Sequence, residues 1–384
     1  MTELQRHQWT FRILLPFCHL FAKWKFNYSF DDLSRIDGPY LLLPNHNLEL
    51  DPIVVGLAAG KQIYFVASEH LTRKGFATKL LNYFFHPIIH QKGRLGIRST
   101  AQILKTLRSG SSICLFPEGN RSFNGLTGAI PPATGKLARK SGVKLVTYRF
   151  EGAYLTNPRW SLSLRRGKLR GRLIHVYTPE ELSAMTDTQI NEAIRRDLYE
   201  DAYATQHREM VSFKGKNLAL GIESTLFACP NCHQIGTLHS SGNSISCRCG
   251  FHAIYNTYGF LTDNNRKNYT VTQLDSQQRT LLRQLITATV PDQPLFSDSV
   301  TLQTIGDDHT LLKEETGSLA AYVDHLVCCD HTVNYCDILG MAIYSRNVLI
   351  LHTDSGSKHF EIRGSQMFSA LKYLYLFEIT KEEQ

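Results

Sequence analysis

Twice in the first third of the chain, a short apolar run stops at a proline and is followed at once by a cluster of polar side chains. Tyr40–Leu43 leads into Pro44-Asn45-His46-Asn47-Leu48-Glu49-Leu50-Asp51. Ser112-Ile113-Cys114-Leu115-Phe116 leads into Pro117-Glu118-Gly119-Asn120-Arg121-Ser122. Proline has no N–H for a sheet ladder, so each run reads as a buried strand that ends there. Open α/β sheets hold their ligands just past the carboxyl ends of their strands. Asp51 precedes Pro52, which suits a first helical position, and Ile53–Ala59 continues as an apolar helix. A His at a strand end and an Asp at a helix start can fold back on each other. Such a pair supplies a general base and the carboxylate that fixes its tautomer and stabilises the imidazolium. Taken singly, a His-x4-Asp spacing recurs by chance, and the second cluster reads equally as a Pro-Gly turn with a surface ion pair.

The surrounding pattern alternates strands with helices. Candidate strands are Tyr40–Leu43, Ile63–Ala67, Ile113–Phe116 and Lys144–Phe150. Helical periodicity falls on Pro52–Ala59, Lys74–Phe84, Thr100–Arg108 and Ala133–Lys140. That alternation predicts a layered α/β domain. Cys114 sits inside an apolar strand and reads as core. Leu169–Tyr177 reads as a further strand. The basic run Arg165, Arg166, Lys168, Arg170 and Arg172 enters it, as on a solvated edge strand or an anionic-lipid contact. Thr178-Pro179-Glu180-Glu181 reads as a helix start, and Ile190–Tyr203 as one helix.

Together the two clusters resemble the glycerolipid acyltransferase family, of the lysophosphatidic acid acyltransferase type. The first matches its His-x4-Asp box and the second its Phe-Pro-Glu-Gly-x-Arg-Ser box, in that order. The resemblance covers roughly residues 38–155. It implies a glycerol-3-phosphate acyltransferase-like layered fold. It also implies transfer of a fatty acyl group from acyl-CoA or acyl carrier protein to a lysophospholipid, most simply 1-acylglycerol-3-phosphate, giving phosphatidic acid. By that resemblance His46 is the general base, Asp51 orients it, and Glu118, Gly119 and Arg121 bind the acceptor's glycerol phosphate. No cofactor is needed for the transfer, and the cluster Phe76, Leu80, Leu81, Tyr83, Phe84 and Phe85 is core or the wall of an acyl groove. The chain departs from the family where an Ile-x-Arg element is expected. Gln91 takes the place of that Arg, and Lys92, Arg94 or Arg98 supplies the charge. Leu48 and Asn120 also stand where small hydroxyl residues are usual. A catalytically silent lipid-binding or scaffold protein is the rival reading from another class.

Charge is uneven along the chain. Residues 1–220 carry 31 Lys and Arg against 17 Asp and Glu, whereas the rest carry 11 against 17. A basic first half suits phosphates, lipid headgroups or nucleic acid. Between Trp9 and Phe26, aromatic and aliphatic residues are interrupted by Arg12, Pro16, His19, Lys23 and Lys25. This is no uninterrupted apolar span, and no small-residue cleavage site follows. Residues 1–30 therefore read as an interfacial helix on a membrane surface, or as a helix packed on its own domain. The expected location is cytoplasmic, peripheral on the inner face of the membrane.

Cys229-Pro230-Asn231-Cys232, fourteen residues, then Cys247-Arg248-Cys249 reads as a zinc ribbon. Four thiolates close a tetrahedral structural Zn2+ site with no open position for water. His233, His239 or His252 could replace one ligand. Ile235–Leu238 and Ser244–Ser246 are the expected hairpin strands. A zinc-ribbon nucleic-acid binder is a further rival, but the ribbon falls in the acidic half and its loop residues Gln234, Thr237, Ser240 and Asn243 are not basic, so no nucleic-acid partner is expected. Leu274–Ala288 reads as a helix. Val300–Ile305, Leu319–Val323, Met341–Tyr344, Val348–His352 and Phe360–Ile362 read as strands, closed by a helix Ser365–Tyr375. Cys328, Cys329 and Cys336 read as packing residues. The expected organisation is an interfacial helix (1–30), an acyltransferase domain (31–222), a zinc ribbon (223–260), a linker and helix (261–292) and a pleckstrin-like β-rich domain (293–384).

Overall fold

A computed structural model describes residues 3–69, 79, 83–90, 96–290, 292–306, 310–353 and 358–382. The chain divides into two compact units. The first comprises Met1–Pro158 with Leu164–Lys214. The second comprises Arg159–Ser163 with Gly215–Gln384.

The first unit is built on a seven-stranded sheet in the order β1-β7-β6-β2-β5-β3-β4. Its strands are β1 (Tyr28–Phe30), β2 (Tyr40–Pro44), β3 (Tyr64–Ser68), β4 (Ile88–His90), β5 (Ile113–Cys114), β6 (Lys144–Glu151) and β7 (Leu169–Tyr177). All neighbours run parallel except β6 and β7. Strand β2 is central and fully buried, as expected for a parallel strand covered on both faces. Its side chains alternate between two cores. Tyr40 and Leu42 pack with Val54, Val55 and Ala58 of the helix Asp51–Ala59. Leu41 and Leu43 pack on the other face with Ile103, Leu107, Leu137 and Ile190. The helices Ile97–Arg108, Ala133–Ser141 and Asp187–Leu198 supply that second face.

Several local expectations are corrected. Strand β5 stops at Cys114 instead of Phe116, because the chain leaves the sheet early and Phe116 stacks on the His46 ring. The stretch Ile190–Tyr203 is two helices, Asp187–Leu198 and Ala202–Glu209. The break has a cause. The Asp201 side chain caps the second helix by accepting from the N–H groups of Tyr203 and Ala204. The Glu200 N–H meanwhile donates to Thr127 Oγ1. Strand β7 is not an edge strand, since β1 pairs with its start. Its basic residues are met by acids: Arg170 pairs with Glu209 and Glu151, Arg172 with Glu151, and Lys168 with Glu209. A helix starts at Thr178 as the sequence predicts, and its first turn is closed by a capping box between Thr178 and Glu181. The apolar cluster Phe76, Leu80 and Leu81, with most of the expected helix Lys74–Phe84, lies outside the described residues.

The N-terminal helix Glu3–Phe26 buries one set of residues and exposes an apolar one. His7, Thr10, Ala22 and Phe26 are buried. Trp9, Ile13, Phe17, Leu20 and Trp24 recur every three or four residues along a shared outward stripe, with Phe17 70% and Trp24 67% exposed. Among the described residues, no helix is long and apolar enough to cross a membrane.

The second unit holds two antiparallel sheets. The smaller has the order β12-β11-β10-β9-β8. Its cysteine-bearing hairpin joins β8 (Leu238–Ser241) to β9 (Ser244–Cys247), followed by β10 (His252–Tyr255), β11 (Leu261–Asp263) and β12 (Asn268–Tyr269). The first hairpin strand thus lies three residues later than expected. The tight turn sets this register, since Ser241 pairs with Ser244 across Gly242-Asn243. A helix Val271–Ala288 follows. The larger sheet has seven strands in the order β16-β15-β14-β13-β19-β18-β17. These are β13 (Phe296–Gly306), β14 (Leu311–Ala321), β15 (His325–Cys328), β16 (His331–Asn334), β17 (Ile338–Tyr344), β18 (Val348–Thr353) and β19 (Lys358–Gly364). The terminal helix is Ala370–Glu382, five residues later than its expected start at Ser365. The architecture is therefore an α/β layered domain followed by a small cysteine-bearing sheet and a β-rich sheet with a terminal helix.

Candidate active site

The two polar clusters meet at the carboxyl ends of β2 and β5. Asp51 is fully buried at the first turn of its helix, and its Oδ2 lies 2.9 Å from His46 Nδ1. The same oxygen accepts from the N–H groups of Asn47 and Leu48, at 2.9 and 3.0 Å. Backbone donors at a helix N-terminus offset part of the cost of burying an acidic side chain there. The His46 side chain is 22% exposed, so the ring is held from within yet reachable from solvent. It stacks on Phe116 with centroids 4.5 Å apart.

The second cluster grips the His46 backbone from both sides. Glu118 Oε1 accepts from the His46 N–H at 2.6 Å, and Glu118 Oε2 accepts from the Gly128 N–H at 2.5 Å. The Ser122 N–H donates to the His46 carbonyl at 3.0 Å. Glu118, expected to bind acceptor, thus has both carboxylate oxygens engaged by main-chain donors. Burial pushes its carboxyl up to about 8, outweighing the opposite pull of the two N–H donors. Gly119 has φ +66°, and its N–H is committed to the Phe116 carbonyl in the turn. Arg121 Nη1 donates to Asn157 Oδ1 at 2.8 Å. Cys114 is completely buried, and burial keeps its thiol well above its ordinary range, which fits a core residue.

Two positions of this site carried no signal in the sequence. Asn45 is buried, and its side-chain amide brackets residue 150 of β6: Nδ2 donates to the Phe150 carbonyl and Oδ1 accepts from the Phe150 N–H. The amide continues the β2–β6 ladder beyond Pro44, where the backbone can no longer do so. Asn157 is the other. Of the expected basic residues, Arg98 lies exposed in the first turn of the helix Ile97–Arg108, and no ion pair joins it to His46 or Glu118 among the described residues. Arg94, with Gln91 and Lys92, lies outside the described residues.

In the second unit the four cysteines converge as expected. Their sulfurs all lie within 4.8 Å of one another, with Cys229–Cys249 at 3.6 Å and Cys232–Cys247 at 3.8 Å. Sulfurs ~2.3 Å from one tetrahedral centre stand ~3.8 Å apart, so this cluster can hold a metal ion. The Asn231 amide and the Phe251 N–H draw the Cys249 thiol down to about 6, whereas burial pushes its neighbour Cys229 up to about 12.

Comparison with known proteins agrees with the geometry of the first unit. Residues 25–151, which contain both polar clusters, match the family model described as Acyltransferase. Among solved structures, the chain is similar to the 1-acyl-sn-glycerophosphate (LPA) acyltransferase PlsC from Thermotoga maritima. The identity is 17%, over 50% of this chain and 79% of that one, with a TM-score of 0.43. It is also similar to a structure describing a critical structural role for the PH and C1 domains of the Vav1 exchange factor. There the identity is 12%, over 30% of this chain and 49% of that one, with a TM-score of 0.17. With both boxes inside the matched segment and joined in space, residues 25–151 form a domain of the acyltransferase family.

Proposed function

We propose that this chain transfers a fatty acyl group from an acyl thioester, on coenzyme A or acyl carrier protein, to the free hydroxyl of a lysophospholipid. 1-Acylglycerol-3-phosphate is the simplest acceptor. The observation that carries this reading is the 2.9 Å contact between His46 Nδ1 and a fully buried Asp51. With Nδ1 bound to the carboxylate, Nε2 is the ring atom that takes the proton from the acceptor hydroxyl as the oxygen attacks the thioester carbonyl. Asp51 stabilises the imidazolium so formed. Collapse of the tetrahedral intermediate breaks the C–S bond. The leaving thiolate then recovers the proton, and the products are an ester and a free thiol. Arg121 suits the acceptor phosphate because its planar donor fork matches phosphate oxygens, and Arg98 or Arg94 adds charge. Glu118 serves the same reaction by holding the His46 backbone.

The exposed stripe of the N-terminal helix, flanked by Arg12 and Lys23, supports docking on an anionic membrane surface from which the acceptor is drawn. Cys229, Cys232, Cys247 and Cys249 would hold a structural Zn2+ that staples the small sheet and takes no part in acyl transfer. The seven-strand order and the terminal helix favour reading residues 293–384 as a pleckstrin-like unit.

Four outcomes are expected. His46→Ala and Asp51→Asn should each lower acyl transfer from radiolabelled acyl-CoA to lysophosphatidic acid, the former by at least about a thousandfold. Cys114→Ala should retain most of the activity. A fully active His46→Ala protein ends the mechanism. For Glu118, a folded-state value near 8 lies above the unfolded carboxylate range. The folded protein therefore holds a proton that the unfolded chain has released, and that contribution is lost as pH rises through about 8. Thermal melts should show lower stability at pH 9 than at pH 6. The drop should be smaller in Glu118→Gln, and equal drops would remove this account. Replacing Trp9, Phe17 and Trp24 together by Ala should weaken co-sedimentation with anionic vesicles by about tenfold or more. Unchanged sedimentation would refute docking through this stripe. Elemental analysis should find one zinc per chain, lost in a Cys229→Ser, Cys249→Ser double variant, and zinc-free native protein would contradict the metal assignment.

A further inference from the structure

Asn157 lies outside both polar clusters and beyond the segment matched by the family model, yet it touches both halves of the site. Its placement follows from local chemistry. Strand β6 ends at Glu151, and Gly152 turns the chain at φ +76°. A side chain at Gly152 would drive its Cβ to 2.3 Å from the Lys168 carbonyl, so only glycine permits this turn. One helical turn follows, Ala153–Thr156. It cannot continue, because Pro158 disfavours a helical conformation at the residue before it, and Asn157 takes φ −146°. The buried Asn157 side chain is thereby fixed beside the carboxyl end of β2.

Its side-chain carbonyl does two things. Oδ1 accepts from Arg121 Nη1 at 2.8 Å and from the Glu49 N–H at 3.3 Å. Glu49 belongs to the short loop between His46 and Asp51. Both partners are donors, so only the oxygen side of the amide satisfies them. One atom therefore ties the guanidinium of the second cluster to the loop that spaces the base from its carboxylate.

We infer that Asn157 is a positioning residue that presets Arg121 for the acceptor phosphate and anchors that phosphate site to the His46–Asp51 loop. The inference rests on the acceptor reading above and deepens it. An arginine side chain is rich in rotamers, and ordering it before substrate arrives removes that cost from binding. An uncharged carbonyl orders the guanidinium without itself setting a negative charge against it. A carboxylate at the same position would compete with the phosphate.

The test uses the full chain with palmitoyl-CoA as donor and 1-acylglycerol-3-phosphate as acceptor. Asn157→Ala should raise the acceptor KM about tenfold, lower kcat by less than about threefold and leave the donor KM unchanged. Asn157→Asp keeps an acceptor for the Glu49 N–H, so its melting temperature should match wild type. It places a charge against Arg121, so its acceptor KM should rise as well. Adding Asn157→Ala to Arg121→Ala should cost no more than Arg121→Ala alone, because the two act as a unit. An unchanged acceptor KM in Asn157→Ala overturns the inference while leaving the proposed reaction intact. So does a loss in which both KM values, kcat and melting temperature move together and Asn157→Asp restores them all. A wild-type protein that turns over no lysophospholipid overturns the proposed reaction and this inference with it.

Discussion

Everything at the site depends on how firmly one residue is held. His46 is fixed through its N–H by Glu118, through its carbonyl by the Ser122 N–H, through Nδ1 by Asp51 and through its ring face by Phe116. Any one of these contacts contributes little, since a hydrogen bond nets ~1 kcal/mol once the competing bonds to water are counted. Their joint effect is geometric. A residue at a strand end ordinarily inherits the freedom of the loop it begins, and here that freedom is removed in every direction except the one left to solvent. The two acidic side chains that do this are themselves held by main-chain donors. Asp51 is stabilised by backbone donors of its own loop, Glu118 by donors from two separate segments. A buried carboxylate without such donors would be costly enough to unfold the loop instead of ordering it.

The parallel sheet explains why segments so far apart in the chain can do this. His46 and Glu118 are separated by 72 residues, but β2 and β5 are adjacent and point the same way. Whatever follows each strand must therefore emerge at the same edge. The third participant obeys the same rule, because β6 flanks β2 on its other side and delivers Asn157 a few residues beyond its own end. In an antiparallel arrangement one of these segments would leave from the opposite edge.

The sequence made much of this readable, and the physical reasons for the gaps are specific. His46, Asp51, Glu118, Gly119 and Arg121 stood out because proline marks strand ends and because their spacing matches two known boxes. The fully buried strands stood out because continuous apolar runs require cover on both faces. What escaped notice is what depends on three-dimensional proximity alone. Asn45 and Asn157 are ordinary turn residues in the text, and nothing in their neighbourhoods announces that one extends a ladder and the other spans two loops. Glu118 was visible, but its partners are backbone N–H groups, which no sequence pattern displays. The early end of β5 and the split near Glu200 arise from a ring stack on His46 and from Asp201 acting as a cap. In the second unit, β14 begins with the exposed residues Leu311–Glu314, so its first half lacks the alternation that marks a half-buried strand.

Asn45 shows how the fold and the chemistry are joined. Pro44 pairs with Tyr148 at the last rung of β2, and no backbone donor of Pro44 can extend the ladder. The amide of Asn45 has the same donor and acceptor as a peptide group, and with them it satisfies both the carbonyl and the N–H of residue 150 just past the end of the β2–β6 ladder. The next residue is His46. Its backbone is thus placed by β6 through a side chain that imitates main chain, while its own main chain is released to be gripped by Glu118 and Ser122. A regular strand at this point would have spent the His46 N–H and carbonyl on sheet pairing and left the second cluster nothing to hold. Ending the ladder at proline and mending it with asparagine lets a rigid sheet hand its precision to a loop. That transfer is what a base needs if it is to meet a hydroxyl and a thioester in one geometry.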